Sequence, residues 1–379
     1  MKNLMISSAA LALMASGAVA GGLDRSGQSM GDLYQEGNVA KLSFGQVNPS
    51  ISGTGSGIAA AGIAAGTAYD GVGEHYTAYA LSLKMDINER LSFAIINDQP
   101  FGVDVLYPGS GTTTELGGTR ATVDTRATTF VGRYKFDGGL SAHAGLRIQS
   151  ISGEIDLSGI AYGVPGVTPT NANGYKLVAE QGTELGYLVG VAYERPDIAL
   201  RVSLTYNSAI DYNLDATDSG GFFTSGDYTL ETSTPESWNL EFQTGVAADT
   251  LVFGSIRWAA WGDFDVPANG LAGSDLADID DSYAYTLGVG RRFNDKLSGS
   301  VSLSYEAEGD DLVSPLAPTN GLMGITVGAQ YALNETVTLS GGVNYTKLGD
   351  ARPETGSTER AQFTDNDSLG VGFSIAYKF

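Results

Sequence analysis

From residue 39 to the end, the chain keeps one rhythm: segments of about ten residues in which apolar side chains alternate with small or polar ones. In the last stretch, residues 366–379, Leu369, Val371, Phe373, Ile375, Tyr377 and Phe379 share one parity. Ser368, Gly370, Gly372, Ser374, Ala376 and Lys378 share the other. The same split recurs in 297–306 (Leu297, Val301, Leu303 and Tyr305 against four serines), in 198–207 and in 140–149. A period of two is a strand with unlike faces.

The connections narrow the choice further. Short turns fall at Asn88-Glu89-Arg90, Asp137-Gly138-Gly139, Arg195-Pro196-Asp197, Ala247-Ala248-Asp249, Asn294-Asp295-Lys296 and Leu333-Asn334-Glu335. Most carry the Asn, Asp, Gly or Pro that turn geometry needs. Between them run long connections at about 54–74, 107–120, 158–182, 211–227, 264–281, 307–320 and 349–365. Six short turns and seven long loops join fourteen strands. Strict alternation of short and long connections is the pattern of an outer-membrane β-barrel, and a soluble sandwich has no need of it. In lipid every backbone polar group needs a partner, so such strands must close on themselves. The expected fold is all-β, a 14-stranded antiparallel transmembrane β-barrel, with the last strand closing against the one that begins near Val39.

The start of the chain fits export. Met1-Lys2, a run of apolar and small residues from Leu4 to Val19, and the small-x-small site Ala18-Val19-Ala20 read as a signal peptide over residues 1–20. Residues 21–38 show no strand pattern. They carry Asp24, Arg25, Asp32 and Glu36 and form either a loose leader or a hatch folded inside a barrel spanning 39–379. No stretch after the leader has the 18 or so apolar residues of a membrane helix. The net charge of −22 speaks against nucleic acid as a partner, and the absence of cysteine excludes disulfides and thiolate metal sites.

Three stretches carry a family resemblance. Asn97-Asp98-Gln99-Pro100-Phe101-Gly102 resembles the D-Q-P-[FY]-G segment of the FadL-type long-chain fatty acid transporters. Pro235-Glu236-Ser237-Trp238 and Trp258-Ala259-Ala260-Trp261-Gly262-Asp263-Phe264 resemble that family's P-E-x-W strand and the W-x-x-W/F hairpin after it. The ending Tyr377-Lys378-Phe379 agrees. The resemblance implies a short N-terminal hatch in the lumen and passive uptake of hydrophobic molecules. The chain departs from the family in having only Asn48-Pro49-Ser50, within the first strand, where better-known members have an N-P-A motif in a longer hatch.

Physical chemistry marks the same residues. Pro100 cannot donate to a ladder, so residues 97–102 are expected to kink the third strand and open the wall sideways, or else to end the strand there. Apolar side chains in the outer connections (Ile160, Tyr162, Val164, Leu177, Val178, Phe222 and Phe223) suggest a greasy capture groove, or loops that pack on one another over the mouth. Strand parity puts Arg147, Arg201, Arg257 and Arg292 on the lumen face. These cations can hold a carboxylate headgroup or pair with the hatch acids Asp24, Asp32 and Glu36. The acids Asp275, Asp278, Asp280 and Asp281 lack EF-hand spacing and read as solvated loop residues.

Enzyme chemistry is not expected. Only His75 and His143 exist, and no phosphate loop, HExxH or GxSxG arrangement is present. No cofactor or metal is called for. The expected role is passive uptake of long-chain fatty acids or similar hydrophobic molecules across the outer membrane of a Gram-negative cell. Exit is sideways through the kink. The expected partners are the ligand, outer-membrane lipid and lipopolysaccharide, and the machinery that assembles such barrels. The rivals are a polar-solute porin and a structural or adhesive barrel.

Overall fold

The computed structural model describes residues 23–164, 171–220, 222, 226–277 and 279–379. Fourteen strands form one closed antiparallel barrel. In chain order they are β1 (Val39–Ser50), β2 (Tyr76–Asp86), β3 (Leu91–Asp98, resuming as Gly102–Leu106), β4 (Arg120–Lys135) and β5 (Leu140–Leu157). Then come β6 (Tyr175–Arg195), β7 (Leu200–Asn207), β8 (Ser237–Ala247), β9 (Thr250–Ala259) and β10 (Ser282–Arg292). Last are β11 (Leu297–Glu306), β12 (Leu322–Ala332), β13 (Val337–Leu348) and β14 (Asp367–Lys378). Each pairs with the next. The last closes on the first, from Val39 opposite Lys378 to Ser50 opposite Asp367.

The alternation follows the pleat. Leu303, Phe373 and Leu146 face outward and are exposed, while Arg147, His143, Ser302 and Ser374 face inward and are buried. The exposed apolar face is the lipid face, since the strands along it pair into a closed ladder interrupted beside the break in β3. Asparagine sets three of the short turns in one way. The side-chain oxygens of Asn88, Asn294 and Asn334 each accept two amides two and three residues on, at 2.7–2.9 Å.

The polarity of the inward face inverts along the longest strands. On β5 the inward residues are His143, Arg147 and Gln149 low in the barrel, then Ile151, Ile155 and Leu157 above. The outward residues change in the opposite sense, to Ser150, Ser152, Glu154 and Asp156. The strand leaves the membrane there, so water wets its outer side and the interior becomes the apolar one.

Two connections expected as loops contain strand. Residues 175–182 belong to β6. Ile210–Ser219 and Gly226–Thr234 form a hairpin whose first strand continues the wall beside residues 176–179 of β6. Its burial alternates perfectly, with Ile210, Tyr212, Leu214 and Ala216 inward. The outward positions, Asp211, Asn213 and Asp215, are polar because they stand in water above the membrane, and this hides the strand from a reading tuned to lipid-facing apolar residues. Above the mouth a small sheet of Gly53–Gly55, Ala68–Tyr69 and Ala361–Phe363 ties the first and last outer loops together. The expected signal peptide, residues 1–20, lies outside the described residues.

Candidate functional site

Residues 23–38 lie within the lumen, bonded to inward side chains of many strands. Asp24 meets Arg257 Nε at 2.5 Å and is fully buried. Asp32 meets Lys41 at 2.9 Å and accepts from Ser82 Oγ at 2.7 Å. Ser26 donates to Asp98 at 2.6 Å and Ser29 to Glu241 at 2.5 Å. Gln28 Oε1 accepts from Ser237 Oγ at 2.9 Å. Tyr34 sits 3.2 Å from His143 Nδ1, with Arg133 and Arg201 stacked on its ring at 4.5 and 4.7 Å. Met30, Leu33 and Tyr34 pack on Ala94, Ile96, Val131 and Leu188 of the wall. The segment is therefore held by both charge pairing and apolar burial.

The cations expected from parity divide. Arg257 engages Asp24, as above. Arg147 donates to Thr129 Oγ1 at 3.0 Å in the buried interior. Arg201 stacks on Tyr34. Arg292 stands at the short-turn end, bonded to Asp249 at 2.5 Å. Glu36 is exposed. Lys41, which sequence reading passed over, takes the partner role for Asp32. Its signal was available, since it shares parity with the inward Ser43 and alternates with the outward Leu42 and Phe44.

β3 breaks at residues 99–101. The β2–β3 ladder runs from Asp86 opposite Ser92 up to Leu81 opposite Asn97 and stops. On its other side β3 pairs with β4 up to Asp98 opposite Ala127 and resumes at Gly102 opposite Asp124. Four steps on β3 thus face three on β4, and the extra residue is a bulge. Thr125 bridges it, its hydroxyl receiving the Phe101 amide at 2.8 Å and donating to the Phe101 carbonyl at 2.7 Å. Asn97 still pairs normally, and its side chain ties back to Ala127 O and Thr128 Oγ1 at 3.0 and 2.9 Å.

The edge that β3 withdraws from β2 is taken by the N-terminal segment. Arg25 N donates to Pro100 O at 2.8 Å and Gly102 N to Leu23 O at 2.8 Å. Higher up, residues 72–74 pair with β3 again, through Glu74 N to Asp104 O and Leu106 N to Val72 O, both 2.9 Å. Between these contacts, residues 77–80 of β2 have no strand partner on the β3 side. Tyr79 N is met there by the Gln99 side chain, at 3.3 Å. Tyr79 stands opposite Phe44, which stands opposite Phe373, so the opening lies at the depth of the lipid-facing band.

A cleft partly open to solvent adjoins the opening and is lined by Val47, Tyr76, Gly102, Val103, Leu322 and Arg25, among others. Arg25 lies over the Tyr76 ring at 4.2 Å and against Gly102, where any side chain would overlap its guanidinium. Burial pushes the Arg25 pKa down, against the pull of Tyr76 and Asp124. A second, smaller cavity is lined only by apolar or uncharged side chains. Val123, Ile151, Ile155, Leu177, Leu214, Leu230 and Phe264 form most of it.

Of the expected groove residues, Leu177 lines this second cavity. Ile160, Tyr162 and Phe222 pack into the large upper core, while Val164 and Val178 are half-buried. Phe223 lies outside the described residues. The remaining lining was missed because Val123, Ile151 and Leu214 sit on strands rather than in loops. The acids at 275–281 staple backbone. Asp275 accepts Val266 N at 2.7 Å, Asp280 accepts Asp310 N at 3.1 Å, and Asp281 accepts Gly262 N at 3.0 Å. Asp278 lies outside the described residues, and no metal-binding cluster is present among the described residues.

Comparison with solved structures finds the same architecture at low identity. A Pseudomonas aeruginosa FadL homologue superposes with a TM-score of 0.75 at 13% identity, covering 98% of this chain and 97% of that one. The Pseudomonas putida toluene transporter TodX gives 0.63 at 13%, over 91% and 90%. The Ralstonia pickettii toluene transporter TbuX gives 0.63 at 15%, over 97% and 93%. A comparison with curated proteins finds none similar in sequence. The model of the outer membrane protein transport family (OMPP1/FadL/TodX) matches residues 33–379. With that match over almost all of the barrel, the chain belongs to the OMPP1/FadL/TodX family of outer-membrane channels for hydrophobic compounds, which are transporters and not enzymes.

Proposed function

We propose that this protein passively admits long-chain fatty acids or similar hydrophobic molecules and releases them sideways, through the wall at residues 99–102, into the outer membrane. The ligand enters the apolar cavity below the outer loops, passes to the cavity beside Arg25, and leaves between β2 and β3. Residues 21–38 act as a hatch whose movement frees the path, and the signal peptide over residues 1–20 is cleaved on export. Lipopolysaccharide surrounds the outer loops, outer-membrane lipid receives the ligand, and the barrel assembly machinery inserts the chain.

The observation that carries this reading is the edge of residues 77–80, which has no strand partner on the β3 side beside the break at Pro100. A backbone edge without a strand partner at lipid depth is costly, and here the Gln99 side chain meets only the Tyr79 amide, which supports a retained opening. The uncharged lining of the upper cavity favours a second reading of the ligand, as an uncharged hydrocarbon rather than a carboxylate.

Growth on oleate, with and without the protein, tests uptake, and planar-bilayer conductance tests the porin alternative. Protein-dependent growth without ion conductance supports the proposal. Steady conductance with no growth effect supports a porin, and neither supports a structural barrel.

A further inference from the structure

Between the two cavities stands a short stack of aromatic rings. Trp261 is almost fully buried. It meets Phe101 edge to face, with centroids 5.1 Å apart and planes at 80°, and Phe264 likewise at 5.8 Å and 89°. Phe264 lines the upper apolar cavity. Gly102, next to Phe101, lines the cavity at the wall opening. The rings thus run from the upper cavity toward the wall opening in the order Phe264, Trp261, Phe101.

The backbone around Trp261 is fixed. It opens a single turn, Trp261–Asp263, whose first carbonyl accepts Phe264 N at 3.0 Å. Ala260 N donates to Glu236 O at 3.1 Å, and Gly262 N to Asp281 at 3.0 Å. Yet the indole Nε1–H, buried with the rest of the side chain, has no acceptor among the described residues. A buried donor without a partner is costly, and aromatic neighbours offer only a weak N–H···π contact. An indole serving as packing alone is replaceable by phenylalanine without that cost.

We infer that Trp261 is the specificity-determining residue of the internal path, and that it selects uncharged hydrophobic molecules bearing one hydrogen-bond acceptor, such as a ketone, ester or alcohol. The wedge of rings admits flat or slender apolar bodies by edge-to-face packing. The indole N–H takes the ligand's oxygen. A fatty acid passes as its neutral acid, and the ionised carboxylate is disfavoured, because the upper cavity is lined by no ionisable side chain and Arg257 is already paired with buried Asp24. This inference rests on the proposed path from cavity to wall opening.

The test is equilibrium dialysis of radiolabelled nonane, 2-nonanone and nonanoate against the full chain in lipid nanodiscs, for the wild type and Trp261→Phe. The phenylalanine keeps a ring and removes only the N–H. Heat-modifiable gel mobility verifies that each variant is folded. The ketone-to-alkane affinity ratio is expected to fall about threefold to tenfold in Trp261→Phe, with nonane binding unchanged. In protein carrying Trp238→Phe and Trp258→Phe, leaving Trp261 as the sole indole, 2-nonanone should quench emission and nonane should not. An unchanged ratio in Trp261→Phe, or nonanoate binding as tightly as the ketone, overturns the assignment while leaving hydrophobic uptake standing. Failure of all three probes to bind the wild type overturns the uptake reading and this inference with it.

Discussion

The Arg25 amide donates to the Pro100 carbonyl at 2.8 Å, so the N-terminal segment occupies the strand edge that β3 withdraws from β2. Proline opens this edge because it has no N–H to offer, and its free carbonyl then receives the segment. Segment and wall break are one device: moving the first exposes backbone in the second.

The anchor of that device is the buried pair of Asp24 and Arg257. Removing one partner of such a pair typically costs about 3–5 kcal/mol, because the other charge stays buried and alone. Asp24→Ala should therefore undock residues 23–34 without unfolding the barrel. Hydrogen exchange there should speed up about a hundredfold or more, while the amides of β11 to β13 stay protected. Equal exchange in variant and wild type would show that apolar packing of Leu33 and Tyr34 suffices.

Gly102 lets the Arg25 guanidinium lie against the strand. Gly102→Ala should displace Arg25 from the Tyr76 ring and lose a cation–π contact worth about 0.5–2 kcal/mol. Pairing of Gly102 with Asp124 needs no such space, so β3 and β4 should stay registered. Nitroxide mobility at a label placed on Ser26 should rise. An immobile label would mean that Arg25 holds elsewhere.

The upper cavity depends on having no charge. Leu177→Asp places a carboxylate among Ile155, Leu214 and Leu230, where no cation lines the space. Hydrophobic ligand affinity should fall at least about tenfold, since water will follow the charge inward. Binding equal to wild type, by equilibrium dialysis, would remove this cavity from the path.

The last residue makes the container rather than the path. The Phe379 amide donates to Asn38 O at 3.0 Å, and its ring stacks on Tyr377 at 6.1 Å, at the seam of β1 and β14. Phe379→Ala should lower the yield of folded barrel in the membrane and leave ligand affinity per folded molecule unchanged. A normal yield would separate this residue from assembly.

The container was legible because lipid and lumen impose opposite demands on alternate residues, and the last strand shows this from Leu369 to Phe379. The hairpin of residues 210–234 was not, because Asp211 and Asp215 face water where the reading looked for lipid. The same inversion, from Arg147 to Ile151 on β5, hid the upper cavity. The break at Pro100 was visible as a residue that cannot pair. That residues 23–26 would fill the vacated edge was not, because the pairing is backbone to backbone and any side chains allow it. The partner of Asp32 was legible only in kind: a lumen cation was expected, and Lys41 is the one that meets it.

The most direct test closes the wall. The chain has no cysteine, so Tyr79→Cys with Gln99→Cys places a single pair across the opening, where the Gln99 side chain already reaches the Tyr79 amide at 3.3 Å. Formation of the bond is read from gel mobility, and uptake of radiolabelled oleate and of toluene by intact cells is measured before and after reduction. Lateral exit predicts that the oxidised protein binds both ligands but passes neither, and that reduction restores uptake. Uptake by the oxidised protein at the reduced rate would contradict it, and would send the ligand down the barrel axis instead.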